Sequence, residues 1–150
     1  MSATPRDADY EARIRGSFAR QRFMATLGAT IERVEPGEVA IAFTHRDELT
    51  QQHGFLHAGV MTSVVDSACG YAALSLMEPG VGVLSVELKV NMLAPATGQR
   101  FVATGRVVRS GRTLTVCTGE VVAEAAGPPT VVMIIQATMM AVRGRDGIAD

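Results

Sequence analysis

Asp66 is the only charged residue between Ala58 and Met77. That run is rich in alanine, leucine and methionine and lacks proline, so a helix is predicted. Apolar side chains fall on every side of it, which predicts burial rather than a half-exposed position. A lone carboxylate in such a place costs free energy unless something compensates. Two roles fit it. One is a structural Asp that hydrogen-bonds a neighbouring loop; the other is a catalytic carboxylate facing a dry cleft. Just upstream, Gln51-Gln52-His53-Gly54-Phe55-Leu56-His57-Ala58-Gly59 leads into the helix. The first N–H groups of a helix have no intrahelical acceptor and can polarise a carbonyl. Amide donors followed by a carboxylate suit the hydrolysis of an activated acyl group.

Spacing then restricts how these groups act together. Ala58 and Asp66 are eight helical positions apart, an axial rise of about 12 Å at ~1.5 Å per residue. Reacting groups must approach within ~3–3.5 Å of the attacked centre. An Asp side chain is too short to bridge that gap. If both groups are catalytic, each site is shared between two subunits.

The remaining composition removes several classes of function. The 150 residues suit one domain with a real core, and 47% hydrophobic content excludes a disordered chain. The formal net charge of −1 gives no reason to expect nucleic acid or an anionic membrane surface as partner. Cys69 and Cys117 each sit in an apolar element and read as buried thiols. His53 and His57 are four apart, but no third ligand accompanies them, so no metal is expected. The early arginines interrupt any apolar leader, and Asp66, Thr62 and three serines argue against a membrane span. A cytoplasmic protein is the expectation.

One α+β domain is expected over residues 1–150. Residues 1–6 read as frayed, and an amphipathic helix is predicted over about 7–24, from Tyr10, Ile14 and Phe18. The core is expected over about 25–142. Val39, Ile41 and Phe43 alternate as a strand, 46–56 reads as a loop, and the central helix stops at Pro79-Gly80. Val83–Leu93 alternates, with Ser85, Glu87, Lys89 and Asn91 on one face and Leu84, Val86, Leu88, Val90 and Met92 on the other. Phe101–Arg109 and Arg112–Glu124 form a hairpin pair, Thr130–Val142 a last strand, and 143–150 a loose tail. Short connections make the sheet mostly antiparallel, curved around the central helix.

Gln51–Gly59 with the helix around Asp66 resembles the hotdog-fold thioesterases, of the phenylacetate-degradation (PaaI-like) and 4-hydroxybenzoyl-CoA thioesterase groups. Leu84–Ala96 and Gly105–Thr113 are similar to the same family, and the resemblance covers roughly residues 25–142. It implies a hotdog fold and hydrolysis of acyl-CoA thioesters. In that reading Asp66 is the catalytic carboxylate, as general base or nucleophile. The Ala58 amide stands where relatives use a Gly N–H to polarise the carbonyl. Gln51 orients substrate or water, with Gln52 as the alternative at that place, and Ser85 is a polar strand residue near the site. Gly70 falls where some members carry a helper Thr. His57 either caps the helix or meets substrate, beside Gly59. Arg109, Gly111 and Arg112 at the hairpin could hold coenzyme A phosphates, or Arg109 and Arg112 could be solvated strand charges. The resemblance further implies no bound cofactor, an acyl-CoA partner, and a homo-oligomer that is at least a dimer, with a tetramer expected. Two rivals remain: an enoyl-thioester hydratase on the same fold, and a non-catalytic acyl-CoA binding or sensing module.

Overall fold

The computed structural model describes residues 4–150. Part of the segment expected to fray, residues 1–3, lies outside the described residues. Arg6, in that same segment, is docked: its guanidinium is 2.6 Å from Glu78.

Two short helices open the chain, α1 (Tyr10–Arg20) and α2 (Arg22–Leu27). A single helix was expected here. It is broken at Gln21, whose backbone is extended (φ −80°, ψ 91°), and the Gln21 side chain turns toward the central helix. Gly28 ends α2 at φ 68°, a left-handed conformation that glycine adopts without a Cβ penalty. Strands β1 (Thr30–Glu35) and β2 (Glu38–Thr44) follow as a hairpin. A loop with one 3₁₀ turn at Asp47–Leu49 then leads to α3 (Ala58–Leu74). The rest is β3 (Gly82–Met92), β4 (Arg100–Ser110), β5 (Leu114–Glu124) and β6 (Thr130–Val142).

The six strands form one sheet in the order β1-β2-β4-β5-β6-β3, every pair antiparallel. The sheet packs on α3 chiefly through β4, β2 and β5. Alternation puts Thr115, Cys117, Gly119, Val121 and Ala123 of β5 inward, all buried. Two glycines form the seat of the helix. A Cβ on Gly105 would lie 2.4 Å from the Cys69 backbone nitrogen, and one on Gly119 would press on Val65 and Ile135. The helix therefore lies as close to the sheet as backbone allows, which fixes the depth at which Asp66 is held.

Burial of α3 is not uniform, contrary to its apolar composition. Its C-terminal half, Tyr71 to Leu74 and on through Met77, is buried. A stripe through Ala58, Gly59, Thr62, Ser63, Asp66, Ser67 and Gly70 stays open. Small and polar residues line that stripe, and among the described residues only Ser85 and Gln21 hydrogen-bond side chains on it from other elements. The tail is not loose either. Arg145 bridges Ile148, Ile148 packs on Gly82, and Asp150 reaches Ser17 and Arg20.

Candidate active site

Asp66 stands half-buried at the middle of the open stripe, on the wall of a cavity of about 300 Å³. Burial pushes its carboxyl above the ordinary Asp range, and one hydrogen bond pulls it part of the way back. The donor is Ser85 Oγ, 2.8 Å from Asp66 Oδ1. The same hydroxyl lies 3.3 Å from the sulfur of Met139.

Strict alternation along β3 would have put Ser85 with Glu87, Lys89 and Asn91, away from the helix. The structure reverses this. The register with β6 slips between Ser85 and Glu87, so Val86 is an extra residue. Ser85 then pairs with buried Met139, and Leu88 with buried Ala137, so both face the helix side, while Glu87 pairs with Thr138 on the other. A β-bulge commonly re-aims one side chain in this way. Its cost is an irregular ladder; its effect is a hydroxyl aimed at the carboxylate.

The N-terminus of α3 forms a second cavity, about 390 Å³, lined among others by Gln51, Phe55, Ala58, Met61, Met92 and Leu93. His57 caps the helix: its Nδ1 accepts the Gly59 N–H at 2.8 Å. The cap occupies the Gly59 amide, in keeping with the first of the two roles open to His57 in the sequence. No acceptor among the described residues takes the Ala58 N–H, which stays available to a ligand. Of the two glutamines, Gln51 lines this cavity, while Gln52 is exposed and lines neither. The Gln51 side-chain oxygen accepts the His53 N–H, which leaves its amide NH2 as the free donor.

The two cavities divide the chemistry unevenly. A dry cleft was expected in front of the carboxylate. The apolar cleft lies at the Ala58 end, whereas the cavity at Asp66 is lined largely by polar groups. Gly70 borders the Asp66 cavity, and a Cβ there would meet nothing within 4 Å, so the place is open. Arg109 and Arg112, with Gly111, stand on the exposed β4–β5 hairpin and line neither cavity. Cys69 and Cys117 are buried, and burial raises both thiols, Cys117 to about 12. At neutral pH they are inert thiols, each directed at a backbone carbonyl.

No helix among the described residues is long and apolar enough to cross a membrane. The family model of the thioesterase superfamily matches residues 53–128, about half of the chain. A protein of Saccharolobus solfataricus, provisionally named an esterase, is 37% identical over 90 residues. That match covers 60% of this chain and 59% of the relative, so the chain spans about three fifths of that relative's length. Human acyl-coenzyme A thioesterase 13 is 28% identical over 116 residues, covering 76% of this chain and 82% of its own. The crystal structure of a thioesterase family protein from Silicibacter pomeroyi is 52% identical, with a TM-score of 0.89 over 90% of this chain and 99% of that one.

Proposed function

Because the chain belongs to the thioesterase superfamily and has its hotdog fold, we propose that it hydrolyses acyl-coenzyme A thioesters to the free acid and coenzyme A. The observation that carries this reading is the Asp66 carboxylate, half-buried on a cavity wall with Ser85 as its hydrogen-bond donor. A desolvated carboxylate is a stronger base than a solvated one. It takes the proton of an attacking water, or attacks the thioester carbon itself to give an anhydride that water then opens. In either route the C–S bond breaks and coenzyme A leaves as the thiol. The Ala58 N–H holds the developing oxyanion, and the Gln51 amide positions substrate beside it. The chemistry draws on these groups alone and needs neither metal nor redox cofactor. An acyl-CoA substrate is in keeping with the human relative's name.

The site is completed by a second copy of the chain. Asp66 and Ala58 of one helix stand too far apart to share a carbonyl. Strand β3 is an unpaired edge of the sheet, and its Leu84, Val86, Leu88 and Met92 are 40% to 51% exposed. An exposed apolar edge invites pairing. Two-fold pairing along β3 would set the open stripes of two α3 helices against each other. Asp66 of one chain then faces Ala58 of the partner subunit.

A thiol-release assay across a panel of acyl-CoAs tests the reading, and turnover of at least one member is expected. A parallel arm uses acyl-pantetheine thioesters, which lack the nucleotide. If Arg109 and Arg112 hold phosphates, their double alanine variant raises KM for acyl-CoA much more than for acyl-pantetheine. Equal change on both substrates would assign them a structural role. A folded, dimeric protein that hydrolyses no member of the panel would overturn the proposal.

A further inference from the structure

The cavity beside Asp66 has an inner wall that thioester cleavage does not use. Ser17 and Gln21 reach it from the α1–α2 junction, Tyr71 from α3, and Asp150 from the tail. Ser17 and Tyr71 are buried, with their hydroxyl oxygens 3.5 Å apart. Ser17 donates to Asp150 Oδ1, which also lies 3.4 Å from an Arg20 nitrogen. The two charges on the wall are thus paired, and the wall is polar but neutral. Gln21 Oε1 accepts from Ser67 at 3.4 Å, while its NH2 meets no acceptor among the described residues. Among the described residues the Tyr71 hydroxyl has only the long contact to Ser17. Both groups keep unused hydrogen-bonding capacity toward the cavity. Between Asp66 and this wall the floor is Gly70, which leaves the path open.

Resting on the thioester reading above, we propose that this wall reads the far end of the acyl group, and that the preferred substrates carry an uncharged hydroxyl there. Coenzyme A is long and must reach solvent, so the end that stops against α1 belongs to the acyl part. Tyr71 lies five positions beyond Asp66, an axial rise of about 7.5 Å, which suits an acyl chain of roughly five or six atoms. The volume agrees: about 300 Å³, roughly twice the ~150 Å³ cavity that holds a benzene ring. An acyl carboxylate would face Asp66 with the Arg20 cation on the wall already paired to Asp150, and a plain alkyl end would leave the Gln21 amide NH2 without a partner and the Tyr71 hydroxyl with its long contact alone. Tyr71 and Ser17 are therefore specificity-determining residues. Neither was legible as a site residue, because each occupies an apolar helical face in the sequence.

The test compares 6-hydroxyhexanoyl-CoA with hexanoyl-CoA, with the free acids quantified so that uncatalysed thiol release is subtracted. The wild-type protein should prefer the hydroxylated substrate by at least about 10-fold in kcat/KM, the scale of one net hydrogen bond gained. Tyr71→Phe and Ser17→Ala should each shrink that ratio toward unity, with folding checked by thermal melting. Equal kcat/KM on the pair, or a ratio unmoved in folded Tyr71→Phe, would overturn the proposal. So would turnover of other acyl-CoAs with neither hexanoyl thioester cleaved, which leaves the hydrolase reading standing. If no acyl-CoA at all is cleaved, both readings fall.

Discussion

The two ends of α3 are built on opposite plans. At the C-terminal end every side chain from Tyr71 to Met77 is buried. Arg13 of α1 closes that end, donating to the carbonyls of Leu74, Met77 and Glu78 at 3.1, 2.9 and 2.6 Å. Its Nε lies 3.2 Å from Asp7 Oδ2, an ion pair without hydrogen-bond alignment. A cation on the last carbonyls of a helix satisfies orphan acceptors and the negative end of the dipole together. At the N-terminal end Ala58 and Gly59 are exposed. The Gly59 amide is spent on the His57 cap, and the Ala58 amide before it is left without a partner among the described residues. The same helix thus has an end that is fully satisfied by its own chain and an end that is not. The first holds the fold together; the second is free to act on a ligand.

The largest effect should come from removing the carboxylate between those ends. Asp66→Asn keeps size and hydrogen-bonding capacity, yet kcat should fall by at least ~10²-fold, the scale of a positioned base. The fold should gain stability at neutral pH. A carboxyl whose folded pKa is raised favours folding only while protonated, and that contribution is lost as pH rises through the folded pKa. The difference in Tm between Asn and Asp should therefore be positive at pH 7 and vanish below the ordinary Asp range. Near-wild-type turnover in folded Asp66→Asn protein would remove Asp66 from the mechanism.

Next comes the open end itself. Ala58 is the first helical residue, and His57 before it is extended (φ −65°, ψ 134°), a conformation that accepts a following proline. Ala58→Pro should keep the helix and delete only the N–H. The loss of one oxyanion donor typically lowers kcat by ~10²–10³-fold. Unchanged kcat in a variant of normal melting temperature would mean that the amide does not touch the reaction.

The closed end should answer in stability instead. Arg13→Met retains the apolar stem but removes three charged hydrogen bonds; the Leu74 and Glu78 carbonyls keep the Met77 and Val81 N–H groups, while the Met77 carbonyl is stranded, at a cost of about 2–4 kcal/mol. That corresponds to roughly 5–15 °C in Tm for a chain of this size. Below the melting transition, kcat should change little in comparison with Ala58→Pro. A large fall in kcat without a fall in Tm would erase the distinction between the two ends. The smallest effect is a shift in pH. The Ser85 hydrogen bond lowers the Asp66 pKa against the larger effect of burial. Ser85→Ala should therefore move the acid limb of kcat/KM to higher pH. A limb that stays in place, or moves down, would show that Ser85 does not govern the carboxylate.

Much of this arrangement could be read from residue order. Asp66 stood out because it is the one charge in the twenty positions from Ala58 to Met77, and helix rise alone separated it from Ala58. Alternation with short turns supplied the antiparallel sheet. What could not be read depends on contacts between distant segments. The bulge at Val86 left no mark in the β3 pattern, so the face of Ser85 was misplaced. The break at Gln21 interrupts a sequence with good helix formers on both sides. Arg13 carries no mark of its role in the α1 sequence, because only the fold brings Leu74 and Glu78 beside it. The tail has the composition of a loose end, and only Ile148 against Gly82 and Asp150 against Ser17 dock it. The open stripe on α3 was hidden because Ala, Gly, Ser and Thr count as core-compatible, although here they line the part of the helix left open.

That second chain is the central claim, and a mixed dimer tests it most directly. Asp66→Asn destroys the carboxylate end of a site, and Ala58→Pro the amide end. Each homodimer should be nearly inactive. If every site takes one end from each chain, a heterodimer of the two variants holds one site with both lesions and one with neither. Purified by two different tags, it should recover about half of the wild-type activity per dimer if the two sites act independently. A folded heterodimer as inactive as its two parents would contradict a site shared between chains.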